Sequence, residues 1–148
     1  MVMGVKHFER LFREAASLNI DKSDVKRLDD FINERLHDLL LMTQRIARMN
    51  GRDVMTEADV PLTRGLQENM QAFRKMDEEL PVEDILAHLA KLPPMDLAIG
   101  ADVEEMLPAL AGGMTVSLAR VFKTVNPEMK NPQTEDWRQV EEIYGLLL

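Results

Sequence analysis

Two pairs of side chains have the types and spacing to bind a metal ion. Glu34 and His37 are three residues apart in a segment with helical periodicity, the spacing found in helical di-iron sites. A di-iron site needs that motif twice, and the chain has no second Glu-x-x-His, so we expect His37 to lie at the surface. Asp84 and His88 can share a hydrogen bond or bind a metal weakly, but the sequence suggests no third ligand. We therefore predict neither a metal ion nor a cofactor.

Other catalytic chemistry has little support in the residue pattern. Cys is absent, which removes thiolate metal sites, iron–sulfur clusters and Cys nucleophiles held by this chain. No Gly-rich phosphate loop, nucleophile elbow or His-Glu-x-x-His zinc motif occurs. The sequence therefore favours a protein that is not an enzyme.

The 18 Lys and Arg residues are unevenly distributed along the chain. Residues 1–76 contain 13 of them against 12 Asp and Glu, whereas residues 77–148 contain 5 against 14. The acidity behind the net charge of −8 thus lies in the second half. Non-specific DNA binding depends on neutralising phosphates with basic side chains. The net charge disfavours DNA as a partner, and any DNA contact is expected in the first half.

Length and hydropathy favour a soluble protein with one core. A chain of 148 residues, 45% hydrophobic and 30% charged, has the size and composition of one globular domain. No apolar run approaches the roughly 18–20 residues of a membrane span. The first residues lack the apolar stretch of a secretory signal. We expect a cytoplasmic protein that does not contact membranes.

Apolar residues recur with helical spacing in almost every segment, which predicts an all-α fold. A short helix ending near Asn19 precedes a long helix of about 26 residues that is capped by Asp21 and its neighbours and stops at Asn50. Thr56 is predicted to cap a third helix, with Pro61 shifting or bending its start. The first half is therefore a short, a long and a short helix.

The second half follows the same plan. Its long helix is predicted from Asp102 to about Val125. Pro108 and Gly112-Gly113 are expected to bend, shorten or loosen the N-terminal half of that helix. A last helix is expected after a cap at Thr134.

A shift of 78 residues aligns the two halves. The shift superimposes the apolar positions of the two long helices: Val25 on Val103, Leu28 on Met106, Ile32 on Leu110, Leu36 on Met114 and Leu40 on Leu118. It also places Thr56 on Thr134. We predict two units, 5–79 and 80–148, within a single domain that spans residues 1–148.

The segment after the first long helix resembles the histone fold. Residues 51–60, Gly-Arg-Asp-Val-Met-Thr-Glu-Ala-Asp-Val, look like the second loop and the start of the third helix of that family. In the family an Arg and an Asp seven residues later form a clamp, so the resemblance implies a structural clamp between Arg52 and Asp59. Two such units in one chain resemble an uncharacterised bacterial family with a doubled histone fold. The resemblance implies a tandem histone fold, paired within one chain as a monomeric pseudo-dimer.

The same resemblance makes DNA a candidate partner. Histones hold DNA through helix N-termini, main-chain amides and basic side chains placed against phosphates. This chain departs from the family pattern after Arg52, because Asp53 repels phosphate and Val54 cannot donate a hydrogen bond. The residues that would contact DNA are basic residues of the first unit: Lys6, Arg10, Arg13, Lys22, Lys26, Arg27 and Arg52. They fit equally well on a solvated helical face with ordinary ion pairs.

These observations favour a non-enzymatic interaction or architectural module that binds a protein. The alternative is a histone-like nucleoid protein that binds DNA non-specifically through the N-terminal unit. Met side chains adapt to several partners. Four Met residues predicted at termini or loops can contribute to a protein-binding patch: Met1, Met3, Met95 and Met129.

Overall fold

The computed structural model describes residues 5–76 and 80–147 of the chain. These residues form six α-helices, one 3₁₀ turn and two strands of two residues each. The helices are α1 (Val5–Ala16), α2 (Lys22–Met49), α3 (Arg64–Lys75), α4 (Val82–Leu89), α5 (Ala101–Val125) and α6 (Thr134–Leu147), and the strands are β1 (Val54–Met55) and β2 (Ala98–Ile99). The prediction of an all-α protein is confirmed.

Clear local signals mark the start and end of the long helix α2. Asp24 N donates to Asp21 Oδ1 at 2.9 Å and Asp21 N donates to Asp24 Oδ2 at 3.0 Å, which forms a capping box. Past the last turn, Gly51 adopts a φ of 72°, a conformation that favours glycine. Helix α1 ends at Ala16, earlier than predicted, because Ser17 takes a left-handed φ of 53°. The 28 residues of α2 span about 42 Å.

The third helix of the first half begins later than predicted. Thr56 is followed by a 3₁₀ turn at Glu57–Asp59, and α3 starts only after Thr63, whose side chain accepts a backbone hydrogen bond. Pro61 explains the delay, because a proline disfavours helical backbone at the preceding residue and Val60 is extended. Gln139 is equivalent to Pro61 in the second half, where α6 runs without interruption.

Helix α5 continues through the residues that were expected to shorten or loosen it. Pro108, Gly112 and Gly113 all lie inside its 25 residues. A β-carbon added to Gly112 would lie 2.4 Å from the ring of Phe73, and one added to Gly113 would lie 2.6 Å from Met70 Cγ. The glycines let α3 approach the α5 backbone closely. The expected shortening is wrong, because this packing compensates for the low helix propensity of glycine.

An aromatic cluster in the core joins the two halves. Phe12 of α1, Phe122 of α5 and Trp137 of α6 are fully buried. Phe12 stacks on Trp137 with 5.7 Å between ring centroids, and Phe122 meets Trp137 edge-on at 4.8 Å. Each such pair contributes about 0.5–1.5 kcal/mol beyond the burial of its area. Since α1 belongs to the first half and the other two helices to the second, this cluster stabilises their association.

The loops of the two halves pair with each other. β1, which follows α2, pairs in parallel with β2, which precedes α5, with Val54 opposite Ala98. In the loop before α2, Asn19 N donates to the carbonyl oxygen of Lys130 in the loop after α5, at 2.8 Å. The start of each long helix therefore lies beside the end of the other.

The short helices also pack across the division between the halves. α1 and α3 both lie against α5, and α4 lies against both α2 and α5. The apolar face of the second long helix is therefore covered largely by helices of the first half. None of the helices in the described part of the chain combines the length and apolarity needed to cross a membrane.

Candidate functional site

Arg52 and Asp59 meet in the segment between α2 and α3. Nε of Arg52 lies 3.2 Å from each carboxylate oxygen of Asp59. Asp59 Oδ2 also accepts hydrogen bonds from the backbone N of Thr56 at 2.9 Å and from its hydroxyl at 3.0 Å. The Asp59 side chain is fully buried, whereas that of Arg52 is 38% exposed. The pair closes the loop, and its carboxylate faces protein atoms.

The surroundings of Asp59 keep its carboxylate ionised. Burial by itself would raise its pKa, but hydrogen bonds from Thr56 and the guanidinium of Arg52 outweigh burial and hold the pKa below its ordinary value. The ionised carboxylate is therefore favoured by the folded state.

Three of the predicted DNA-contacting residues lie together on α1. Lys6, Arg10 and Arg13 are exposed and line a shallow surface groove with Glu9. Arg10 Nη2 lies 3.3 Å from His7 Nδ1. This face of α1 carries the most concentrated positive charge among the predicted DNA contacts.

The predicted contacts on α2 are partly engaged in ion pairs. Lys22 is exposed, and Lys26 Nζ lies 3.9 Å from Asp30 Oδ2. Arg27 Nε donates to Glu141 Oε1 at 2.6 Å and its Nη2 donates to Oε2 at 3.2 Å. This bidentate pair joins α2 to α6 and holds the guanidinium in place. Arg27 is thus a tie between the halves, which no local sequence signal indicates because its partner is far along the chain.

Most basic positions of the first half lack a basic counterpart in the second half. With the shift of 78 residues, the equivalents are Asp84 for Lys6, His88 for Arg10, Lys91 for Arg13, Gly100 for Lys22, Glu104 for Lys26, Glu105 for Arg27 and Lys130 for Arg52. The clamp is also absent there, because Trp137 stands at the position of Asp59. A DNA path over both halves would place carboxylates against phosphates.

His37 is buried, and the prediction of a surface histidine is wrong. Its residue exposure is 7%, and Nε2 lies 2.8 Å from the carbonyl oxygen of Pro93 in the segment between α4 and β2. The covering segment belongs to the second half, so the helical periodicity around His37 cannot indicate it. Glu34, the other member of the di-iron spacing, is exposed.

His88 is placed against α2 and not against Asp84. Its Nδ1 lies 3.6 Å from Asp29 Oδ2, and among the described residues no hydrogen bond or ion pair joins it to Asp84. Asp29 is buried at 4% exposure, and the adjacent Asp30 is exposed. One ligand atom from each of Asp29, Asp30 and His88 lies within 4.8 Å of the others. Sequence reasoning missed this cluster because its members come from different helices.

A mainly apolar groove of about 210 Å³ lies between α2, the segment around Pro61 and the end of α6. Met42 and Leu147 line it and are 47% and 76% exposed. Arg35 also lines the groove, and its Nη2 lies 3.1 Å from Asp38 Oδ2. The groove offers exposed apolar side chains of the kind that protein contacts bury.

The methionines predicted for a binding patch are not the exposed ones. Met129 is 6% exposed and Met95 is half-buried, so both pack against the protein itself. Met1 and Met3 lie outside the described residues. Met42 and Met49 of α2 are exposed instead.

The chain is similar to proteins of two bacteria over nearly its whole length. The model of a family described as a domain of unknown function, DUF1931, matches residues 8–145. A protein of Thermus thermophilus with a crystal structure is 49% identical, with 100% of both chains covered and a TM-score of 0.97. A crystal structure from Aquifex aeolicus is 23% identical over 99% of this chain and 97% of its own, with a TM-score of 0.83, and shares the fold. An uncharacterised protein of Aquifex aeolicus (strain VF5) is 26% identical over 95% of this chain and 81% of its own length.

Proposed function

This chain belongs to the DUF1931 family, a domain of unknown function, and we propose that it is a tandem histone fold that acts as a non-enzymatic interaction module with a protein partner. Histone units pair head to tail, so that the long helices cross. The pairing of β1 with β2 and the hydrogen bond from Asn19 to Lys130 support this arrangement. The packing of α1 and α3 on α5 supports it as well.

The fusion of two units has a simple physical benefit. A short–long–short unit cannot cover its own apolar stripe, so it needs a second unit for folding. A covalent link gives that partner an effective concentration in the millimolar range. The chain can then fold alone and keep its outer surface for another protein.

The distribution of charge favours a protein partner over DNA. Arg27 is paired with Glu141, and Asp53 is exposed in the loop where a DNA-binding histone fold would contact phosphate. The acidic second half opposes DNA further. The exposed apolar groove at Met42 is the observation that carries the proposal of a protein partner.

Charge reversal of the groove tests the proposed partner surface. Met42→Asp places a carboxylate in the groove, and Met49→Asp places one on the same helix, at a residue that does not line the groove. Each full-length protein is cross-linked and recovered from the cells that make it, and co-purified protein is quantified. We expect Met42→Asp to lose the partner while its unfolding midpoint stays that of Met49→Asp. Equal recovery with both variants would contradict the proposal.

A nucleoid role through DNA binding is the alternative, favoured by the exposed basic face of α1. A mobility-shift titration with duplex DNA between about 50 and 200 mM salt separates the two functions, because phosphate-driven binding weakens steeply with salt. The double variant Arg10→Glu, Arg13→Glu would abolish such binding. The double variant Arg64→Glu, Arg74→Glu makes the same charge change on exposed positions of α3 and would not. No shift of the wild-type protein at low salt would exclude this alternative.

A further inference from the structure

Two carboxylates and an imidazole converge where α4 packs against α2. Asp29 and Asp30 are neighbours near the middle of α2, and His88 lies in the last turn of α4. We propose that Asp29, Asp30 and His88 bind a divalent transition-metal ion of the Zn²⁺ class, and that the ion ties α4 to α2.

The separation of the ligand atoms fits a shared ion better than a direct hydrogen bond. His88 Nδ1 and Asp29 Oδ2 are 3.6 Å apart, beyond the 2.7–3.2 Å of an N–H···O hydrogen bond. Two ligands of one tetrahedral Zn²⁺, each about 2.0–2.1 Å from the metal, lie about 3.3 Å apart. The third ligand atom, from Asp30, lies within 4.8 Å of both. Small side-chain rotations therefore suffice to bring all three atoms onto one ion.

The position of Asp29 is defined by its own helix. Asn33 Nδ2 donates to the carbonyl oxygen of Asp29 at 2.8 Å and lies 3.4 Å from Asp29 Oδ1. Both residues are buried, at 4% and 1% exposure. A carboxylate at such depth is costly unless a positive charge or hydrogen bonds offset its desolvation. A bound divalent cation would supply the charge, and Asn33 would hold the ligand oxygen in place.

The ligand set selects a class of ion. One imidazole with two carboxylates suits Zn²⁺ and its first-row neighbours. Mg²⁺ and Ca²⁺ prefer oxygen ligands throughout, so the imidazole disfavours them. Three protein ligands leave room for water to complete the coordination.

The site links the two halves of the chain. α2 belongs to the first half and α4 opens the second, so an ion at this point would join the halves directly. Metal binding to the folded state alone stabilises it by mass action. The ion would therefore serve as a structural tie, separate from the groove at Met42.

Metal titration of the untagged full-length protein tests the proposal. Zn²⁺ or Co²⁺ is added to chelator-treated protein, and thermal unfolding and the visible absorption of bound Co²⁺ are recorded. We expect one equivalent of Zn²⁺ to raise the unfolding midpoint and EDTA to reverse the rise. Co²⁺ should give the strong absorption of a four- or five-coordinate ion, which a loosely bound six-coordinate ion lacks.

Variants at each ligand position make the test specific. Asp30→Asn changes an exposed residue and should fold normally, and His88→Gln is the second variant. Loss of a residue that only orients a ligand costs about 10- to 100-fold in metal affinity, so loss of either ligand should cost at least tenfold. Asp84→Asn and His7→Gln are controls that should leave affinity unchanged. Unaltered midpoints with Zn²⁺, or tight binding by Asp30→Asn, would overturn the proposal and leave a simple contact between His88 and Asp29.

Discussion

Asp59 holds a buried negative charge against Arg52 and Thr56, and its replacement is expected to destabilise the protein. Asp59→Asn preserves the shape of the side chain but removes the charge and replaces one acceptor oxygen with an amide donor. We expect a lower midpoint of thermal unfolding at neutral pH. Asp53→Asn alters an exposed carboxylate of the same loop and should leave the midpoint unchanged.

The effect of Asp59→Asn should depend on pH with a definite sign. The folded-state pKa of Asp59 lies below its ordinary value. Its charge therefore stabilises the protein above the unfolded pKa of about 3.9, and this contribution is lost as the pH falls through the folded pKa. The difference between wild type and variant should narrow on acidification. A difference that stays constant down to the acid limit of folding would show that charge is not its cause.

Single residues were predictable from sequence only where their partners are close in the chain. Arg52 and Asp59 are seven residues apart, and their spacing in a recognisable loop suggested the pair that the structure places in contact. His37 and His88 meet residues more than fifty positions away, on Pro93 and Asp29. Helical periodicity describes one element and carries no information about which distant segment covers it.

At the scale of elements, the close approach of α3 to α5 makes Gly112 intolerant of substitution. In Gly112→Ala the new β-carbon would meet the ring of Phe73 at 2.4 Å. Overpacking of this kind costs about 1–3 kcal/mol, more than the gain of up to about 1 kcal/mol from replacing glycine in a helix. We expect a net loss of stability in chemical unfolding.

Gly65→Ala is the matched control for that substitution. Gly65 lies in the first turn of α3, and no atom lies within 4 Å of the position its β-carbon would take. The same change should be neutral or should stabilise the protein by up to about 1 kcal/mol. If Gly112→Ala and Gly65→Ala had equal effects, the close contact with Phe73 would not explain the glycine.

The helices themselves were largely predictable, and their ends and internal irregularities less so. The long stripes of α2 and α5 indicate helix over most of their length. The 3₁₀ turn and late start of α3 depend on Pro61, whose effect on Val60 outweighs the capping signal at Thr56. The glycines of α5 were misread because propensity was judged without the helix that packs on them.

For the molecule as a whole, we expect a monomer in solution. Each half covers apolar surface of the other, so folding requires no second chain. Sedimentation equilibrium should give a mass near 16.9 kDa that does not change with protein concentration. A mass that doubles as the concentration rises would indicate that the pseudo-dimer is incomplete without a second copy.

The overall plan followed from the internal repeat, whereas the contacts between its copies did not. A shift of 78 residues reveals two helical units, and amphipathic faces require that they pack together. The strands β1 and β2 have only two residues each, too few for any periodic signal. The bidentate pair of Arg27 with Glu141 likewise depends on a geometry that only the folded chain provides.

Trp137 stands where Asp59 stands in the other half, so matching corners of the molecule are held by unlike forces. One corner depends on an ion pair, and the other on stacked rings. Apolar contacts weaken on cooling, whereas a buried carboxylate loses its charge in acid. Acid should thus loosen one corner first and cold the opposite one, giving a nearly symmetric molecule two different weak points.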